Sequence, residues 1–363
     1  MRLVTIRPVV GDWTTGAAHR PAVVLANGRF LPIGALADVA PTGLPAEVGR
    51  LDLAALLLDD PDLGAIREAF AAADPDAVDA VSVDPGSVRL MAPIPRPGKI
   101  VGVGYNYLDH IREQGLEKPV RPVLFSMFAN AVAADGDPIR HPAGTHALDL
   151  EAELAVVIGR RASRVAAADA LRCVAGYTAA NDVTARDWQG QARALNPGEK
   201  GDGQWLRAKG SDTFLPLGPV LVTADELGDG RGLAVRSWRT AATGPDAGRA
   251  FQMQDGNSSD LLFSIAELIA IISSEVTLEP GDVIVTGTPS GVGVFREPQI
   301  FLEPGDLVKV EVERIGVLTS PVTDTDGRAP AGSPAALFLS GTSAGTSAGT
   351  SAGTSAGTSA SRQ

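Results

Sequence analysis

The acidic run Asp149-Leu150-Glu151-Ala152-Glu153, followed by the apolar Leu154 to Ile158, sets carboxylates two residues apart on a segment that reads as a buried strand. Side chains alternate across a strand, so Glu151 and Glu153 point the same way. Two carboxylates about 4 Å apart repel by roughly 1 kcal/mol in water and about 4 kcal/mol at an effective dielectric of 20, so a core-facing pair calls for a cation between them. Asp182, in Ala179-Ala180-Asn181-Asp182-Val183-Thr184-Ala185-Arg186-Asp187, follows a segment apolar enough to return to the same core. Three hard oxygen donors with no cysteine or histidine ligand pattern suit magnesium, manganese or calcium rather than zinc. The competing reading of the pair alone is an ordinary solvated strand face.

A second group follows the strand Lys99 to Val103, in Gly104-Tyr105-Asn106-Tyr107-Leu108-Asp109-His110-Ile111-Arg112-Glu113. Three residues apart on a helical turn, His110 and Glu113 share a face, and the carboxylate can orient the imidazole and raise its basicity, which is how a general base activates water. The same spacing also occurs on many solvated helix surfaces. His19, His141 and His146 lie in loop-like polar contexts and read as structural. Lys209, in Arg207-Ala208-Lys209-Gly210-Ser211-Asp212, offers a positive charge for a developing enolate. The glycine-rich Thr286-Gly287-Thr288-Pro289-Ser290-Gly291-Val292-Gly293 lacks the Gly-Lys-Ser/Thr ending of a phosphate loop and reads into another strand. It reads instead as a loop whose backbone N–H groups and Thr288 hydroxyl are placed to hold a substrate carboxylate.

The elements that must position these residues fall into three stretches. Residues 1–92 open with a strand at Met1 to Pro8 and two apolar runs around Asn27-Gly28, a hairpin signal of the type I′ kind, followed by helical patterns such as Asp62 to Ala73; they form a small N-terminal domain. Pro93, Pro95 and Pro97 make a stiff connector into a domain over residues 93–328. Short apolar runs dominate there: Lys99–Val103, Pro122–Phe125, Glu153–Ile158, Leu217–Val222, Val283–Thr286 and Leu307–Val312. They predict mixed β structure rather than an alternating β-α array. Leu-Glu-Pro-Gly-Asp occurs at Leu278–Asp282 and again at Leu302–Asp306, each a type II turn launching a strand. One helix is predicted over Asp260–Ser273, capped by Ser258 or Ser259. Residues 329–363, a repeat of serine, alanine, glycine and threonine from Ser340, form a disordered tail that cannot offset its ordering entropy.

With 363 residues, 44% of them hydrophobic, the chain can fill a sizeable core. A net charge of −12 argues against nucleic acid or an anionic membrane as partner, since both require a basic face. No apolar run is long enough to span a bilayer and the first residues lack a signal peptide's core. A single cysteine, Cys173, fits a reducing compartment, giving an expected cytoplasmic address.

Five separated motifs, in order over Lys99 to Val322, resemble the fumarylacetoacetate hydrolase family: Asn106-Tyr107 with His110 and Glu113, Glu151 and Glu153, Asn181-Asp182 with Arg186-Asp187, Lys209 with Asp212-Thr213-Phe214, and Gly287-Thr288-Pro289. The resemblance implies a β-rich α+β fold with a mixed, rolled sheet, a magnesium or manganese cofactor held by Glu151, Glu153 and Asp182, and a homodimer. It implies His110 and Glu113 as the water-activating dyad, Lys209 as the enolate-stabilising lysine, and Gln189, Thr288 and Tyr107 as substrate contacts. The expected reaction is hydrolysis of a carbon–carbon bond in a small 2,4-dioxo acid of the acylpyruvate type. Decarboxylation or enol–keto isomerisation of a 2-oxo acid, and a non-catalytic metal-binding subunit, are the alternatives. The chain departs from the family pattern at Met127, where relatives often carry lysine, so the substrate is expected to differ. Gly190–Gln204 and Arg239–Gly248 read as rim loops.

Overall fold

A computed structural model describes residues 1–9, 19–41 and 43–341. Its centre is strand Ala152–Ile158, whose seven residues are all buried, as the unbroken apolar run requires. It pairs antiparallel with Val174–Asn181 on one side and Val283–Val285 on the other. The sheet continues to Leu215–Thr223 in one direction and, through a parallel pairing, to Ile100–Gly104 and then Val123–Met127 in the other. A second sheet of five strands runs Ala250–Asn257, Ala234–Thr240, Leu307–Val312, Gly316–Thr323, Ile139–Arg140, the last pairing parallel. The architecture is β-rich and mixed, as expected.

Two apolar clusters cover the two faces of the large sheet. On one face Leu154, Val156 and Ile158 meet Val235, Val310 and Leu318 of the second sheet and Leu268, Ile269 and Ile272 of a helix. On the other, Ala155 and Val157 meet Leu53, Leu56 and Ile66 of N-terminal helices. Glu151 and Glu153 share the parity of Ala155 and Val157, so the carboxylates continue a face that elsewhere is fully apolar.

The first stretch is sewn into this sheet. Strand Arg2–Pro8 pairs with Arg20–Val24, with Val88–Met91, and at Arg2 and Leu3 with Val222 and Leu221, so the large sheet has eleven strands and crosses the proline connector. Helices Leu53–Asp59 and Pro75–Val81 begin where Asp52 and Asp74 accept from backbone N–H groups. The Asn27-Gly28 hairpin forms with a different turn: the Gly28 N–H donates to the Leu25 carbonyl at 2.9 Å and only Gly28 is left-handed (φ 81°). That is a type I turn closed by a glycine bulge, which needs one positive φ instead of two.

Both Leu-Glu-Pro-Gly-Asp copies launch strands as predicted. In each, the aspartate N–H donates to the glutamate carbonyl at 3.0 Å and its carboxylate accepts from the glutamate N–H, at 2.7 Å in the first and 2.9 Å in the second. The predicted helix starts later than expected, at Ile265–Glu275, because Ser264 and Glu267 form a reciprocal capping box, while Ser258–Asp260 is a separate 3-10 turn. Regular structure also continues past residue 329, where the tail was expected to begin. Pro334–Leu339 is a helix capped by Ser333, with Ala335 buried and donating its N–H to the Gly305 carbonyl at 2.9 Å. Of the repeat, residues 342–363 lie outside the described residues.

Candidate active site

Register brings the carboxylates together. Ala152 lies opposite Asn181, and one step further the Asp182 N–H donates to the Glu151 carbonyl at 2.9 Å, so Asp182 sits across from Glu151. The Glu151, Glu153 and Asp182 oxygens lie within 4.8 Å of one another and all three residues are buried. The solvated-face reading is therefore excluded. Two cations face them. Lys209 Nζ donates to Glu151 at 2.8 Å, Asp182 at 2.6 Å and the Thr184 hydroxyl at 2.8 Å, which commits its three protons. Arg186 donates through Nε to Asp149 at 2.9 Å and pairs through Nη1 with Glu151 at 2.7 Å.

Counting Asp149, the cluster holds four buried carboxylates against two buried cations. The imbalance appears in their acidities. Burial alone would raise Glu151, but Arg186 and Lys209 overcome it and hold the carboxyl down at about 2. Glu153 is pushed well above the carboxylate range by burial and then by Asp182 and Glu151. Burial raises Asp182 to about 7 against the opposing pull of Lys209. Asp182 Oδ1 is also buried without a hydrogen-bond partner. An orphaned hard oxygen and uncompensated negative charge both fit a divalent cation on this donor set.

His110 and Glu113 are in contact. Helix Leu108–Glu113 carries both residues, with His110 Nδ1 2.9 Å from Glu113 Oε2. Glu113 Oε1 accepts from the Gly291 N–H at 2.9 Å and Asp109 from Ser290, so the glycine-rich loop fixes the helix that carries His110. The loop is tied to the carboxylates as well: the Gly287 N–H donates to Glu153 at 2.7 Å. Gly287 is left-handed (φ 101°) and a Cβ there would sit 2.9 Å from the Asn106 Cβ, so only glycine allows this approach. After Gly293 the chain makes a 3-10 turn, not the strand its sequence suggests.

These groups open onto one cavity of about 310 Å³. His110, Lys209, Glu151, Glu153 and Asp182 line it, as do Gln189 and Thr288. Glu113 is not among the lining residues and contacts His110 from behind the cavity wall. The Thr288 hydroxyl does not face a substrate as a donor, because it donates to the Ala152 carbonyl at 2.9 Å and accepts from Gln254 at 2.7 Å.

Tyr107 is not at the cavity. Its side chain is fully buried in the apolar core, because the left-handed backbone at Tyr105 (φ 56°) turns the chain and presents Tyr105 instead. Met127 is likewise not a cavity residue: it is buried against Ile100 and the second apolar cluster, and Phe125 reaches the cavity in its place. The rim loop at Gly190–Gln204 does border the cavity, through Gly190 and Gln191, whereas Arg239–Gly248 joins two strands of the second sheet away from it. His146 has partners, Asp187 at 3.3 Å and the Ala194 carbonyl at 2.9 Å. Arg186, Tyr105, Phe125 and Trp205 line the cavity and Asp149 holds Arg186, beyond the candidate residues that the sequence singles out. The alternation of Asp149 with Glu151 and Glu153 was a readable signal for Asp149; the aromatic residues carried none.

Residues 99–323 match the family model described as Fumarylacetoacetate (FAA) hydrolase C-terminal. The chain is 45% identical over 235 residues to oxaloacetate tautomerase FAHD2A, mitochondrial, of Bos taurus, covering 65% of this chain and 69% of the relative. It is 43% identical to the Homo sapiens protein of the same name, with the same coverage. The fumarylacetoacetate hydrolase structure of Exiguobacterium antarcticum is similar with a TM-score of 0.68 and 30% identity, over 89% of this chain and 99% of that one. The 5-carboxymethyl-2-hydroxymuconate delta-isomerase structure of Mycobacterium smegmatis is similar with a TM-score of 0.62 and 32% identity, over the same shares. No helix among the described residues is long and apolar enough to cross a membrane.

Proposed function

We propose, from the premise that this chain belongs to the fumarylacetoacetate hydrolase family, that it catalyses keto–enol proton transfer in a small 2-oxo acid. The observation that carries this reading is a single oriented base lining the same cavity as the three carboxylates. With Nδ1 bonded to Glu113, the imidazole offers Nε2 as its basic atom. The C–H bond beside the 2-oxo group breaks, its electron pair forms the carbon–carbon double bond while the C=O π pair moves onto the 2-oxo oxygen, and Nε2 takes the proton; returning that proton to the oxygen gives the enol. Arg186 lines the cavity and supplies positive charge toward the substrate carboxylate. A magnesium or manganese ion held by Glu151, Glu153 and Asp182 would supply positive charge for the enolate. Relatives at 43–45% identity that carry the tautomerase name support this reaction class.

Hydrolysis of an acylpyruvate is the second reading, favoured by the same dyad, since a carboxylate-held imidazole is what water activation requires. The test is purified protein with magnesium, following enol absorbance of a 2-oxo acid, with pyruvate and carbon dioxide measured alongside. Tautomerisation accelerates enol decay and releases neither product; pyruvate plus an acid selects hydrolysis, carbon dioxide selects decarboxylation, and no change in any of them overturns the enzymatic reading. A homodimer and a reducing cytoplasmic address complete the proposal, supported by the family resemblance and by the lone buried Cys173.

A further inference from the structure

The geometry points to an aryl 2-oxo acid, one carrying a neutral aromatic ring at its far end where oxaloacetate carries a second carboxylate. This inference rests on the 2-oxo acid reading above and names the substrate class within it. Charge supplies the first argument. Arg186 and Lys209 are the guanidinium and ammonium groups lining the cavity. Lys209 has its three protons on Glu151, Asp182 and Thr184, and Arg186 spends Nε and Nη1 on Asp149 and Glu151. Arg186 Nη2 alone makes no hydrogen bond, and it is buried, so the guanidinium offers at most one further contact. His110 is engaged by Glu113, and Gln114, Gln189 and Gln191 bring amides without charge. A second carboxylate at the far end would meet no unpaired side-chain cation, because the charge that a metal ion would supply is held at Glu151, Glu153 and Asp182.

The wall that begins beside Lys209 supplies the second argument. The Phe125 ring centroid lies 5.0 Å from Lys209 Nζ. Trp205 follows at 5.3 Å from Phe125, tilted by 57°, and Tyr105 at 6.3 Å from Trp205, tilted by 65°. Three rings at these spacings and tilts form an edge-to-face surface that favours a further ring over an aliphatic or charged group. All three are half-buried and line the cavity. The backbone is arranged to keep them there. A Cβ at Gly102 would overlap the Phe125 ring, and one at Gly104 would touch Trp205 at 3.4 Å. Tyr105 holds a left-handed φ of 56°, a conformation side chains other than asparagine, aspartate or glycine rarely adopt. That strain is retained where it sets a phenol at the cavity edge.

The test compares the enol–keto reaction of phenylpyruvate and of oxaloacetate on the full chain with magnesium, taking kcat and KM separately. The expected result is a kcat/KM for phenylpyruvate at least about tenfold above that for oxaloacetate, a ratio of the size one aromatic contact supplies. Trp205→Leu should lower that preference at least about fivefold, mainly through the KM for phenylpyruvate. If Trp205→Leu does not fold by circular dichroism, Tyr105→Asn, which suits the left-handed backbone, takes its place. A preference for oxaloacetate in the wild type, or an unchanged ratio in a folded variant, overturns the inference and leaves the reaction class standing. If neither acid is turned over, the proposed reaction fails, and calorimetry with magnesium decides the inference: tighter binding of phenylpyruvate upholds it and tighter binding of oxaloacetate overturns it.

Discussion

Replacing Glu153 by Gln should stabilise the protein without metal and weaken it with metal, so that the order of wild type and variant reverses on adding magnesium. Glu153 is buried with two other carboxylates, all within 4.8 Å. At that distance and an effective dielectric of 20, each ionised pair costs about 3.5 kcal/mol. Burial and its acidic neighbours hold the Glu153 carboxyl well above its ordinary value of 4.5. A folded-state pKa raised above the unfolded one means folding must either take up a proton or bear the charge, at a cost that is absent below about pH 4 and grows as pH rises. Glutamine has the same shape and still accepts from the Gly287 N–H, which donates to Glu153 at 2.7 Å. Removing the charge should therefore raise stability in EDTA at about pH 8 by roughly 1–3 kcal/mol, with a smaller gain at about pH 6. Magnesium reverses the comparison. At a hundred times its dissociation constant a ligand adds about 2.7 kcal/mol, and the variant keeps two of the three carboxylates that would earn it. Thermal unfolding of both proteins in EDTA and in excess magnesium measures all four states. A variant less stable than wild type in EDTA at the higher pH, or equal magnesium shifts in the two proteins, would refute the shared-cation reasoning.

His110→Gln should slow enol–keto exchange by about 10² to 10⁴ while magnesium affinity by calorimetry stays within about twofold, because the imidazole touches none of the three carboxylates by hydrogen bond; equal loss of both would move His110 into the metal site. Asp135 is raised by burial to about 6 although it accepts from the Thr319 N–H at 2.7 Å. Asp135→Asn should thus be neutral below about pH 4 and more stable than wild type by about 1–2 kcal/mol above about pH 6 in urea titrations, a size discounted for its partial exposure; a pH-independent difference would show that the carboxylate is not the cause. Removing the chain from residue 342 should leave the melting temperature unchanged, whereas removal from Ser333 should lower it by several degrees through loss of the buried Ala335 and its bond to Gly305.

Much of the site was legible because its signal is local or periodic. Glu151 and Glu153 alternate on one strand, His110 and Glu113 share one helical turn, and both Leu-Glu-Pro-Gly-Asp turns carry their own geometry. Residues whose role depends on a single dihedral or on tertiary contact were not legible. Tyr107 yielded its place to Tyr105 through one left-handed residue, and nothing in the spacing of Phe125 and Trp205 shows that they meet across 80 positions, one over Gly102 and the other over Gly104. Ser264 displaced Ser258 and Ser259 as cap because a glutamate three residues on completes a reciprocal pair. Strand Arg2–Pro8 was readable as a strand, but not as a partner of Leu215–Thr223, because two such runs satisfy the same alternation with many neighbours.

That last pairing has a consequence for biogenesis. Thr223 donates its N–H to the Met1 carbonyl at 3.0 Å, and the two residues are 222 positions apart. Ribosomes extend a chain by about 5–20 residues per second, so strand Arg2–Pro8 waits roughly 10–40 s for its far partner to be made. Over that interval it has Arg20–Val24 and Val88–Met91 to pair with, and Leu3 can bury against nearby helices that share its apolar cluster. The nascent N-terminal layer is therefore a template with one end of its first strand open. The rest of the sheet arrives onto it, and the order of synthesis runs from the scaffold toward the carboxylates.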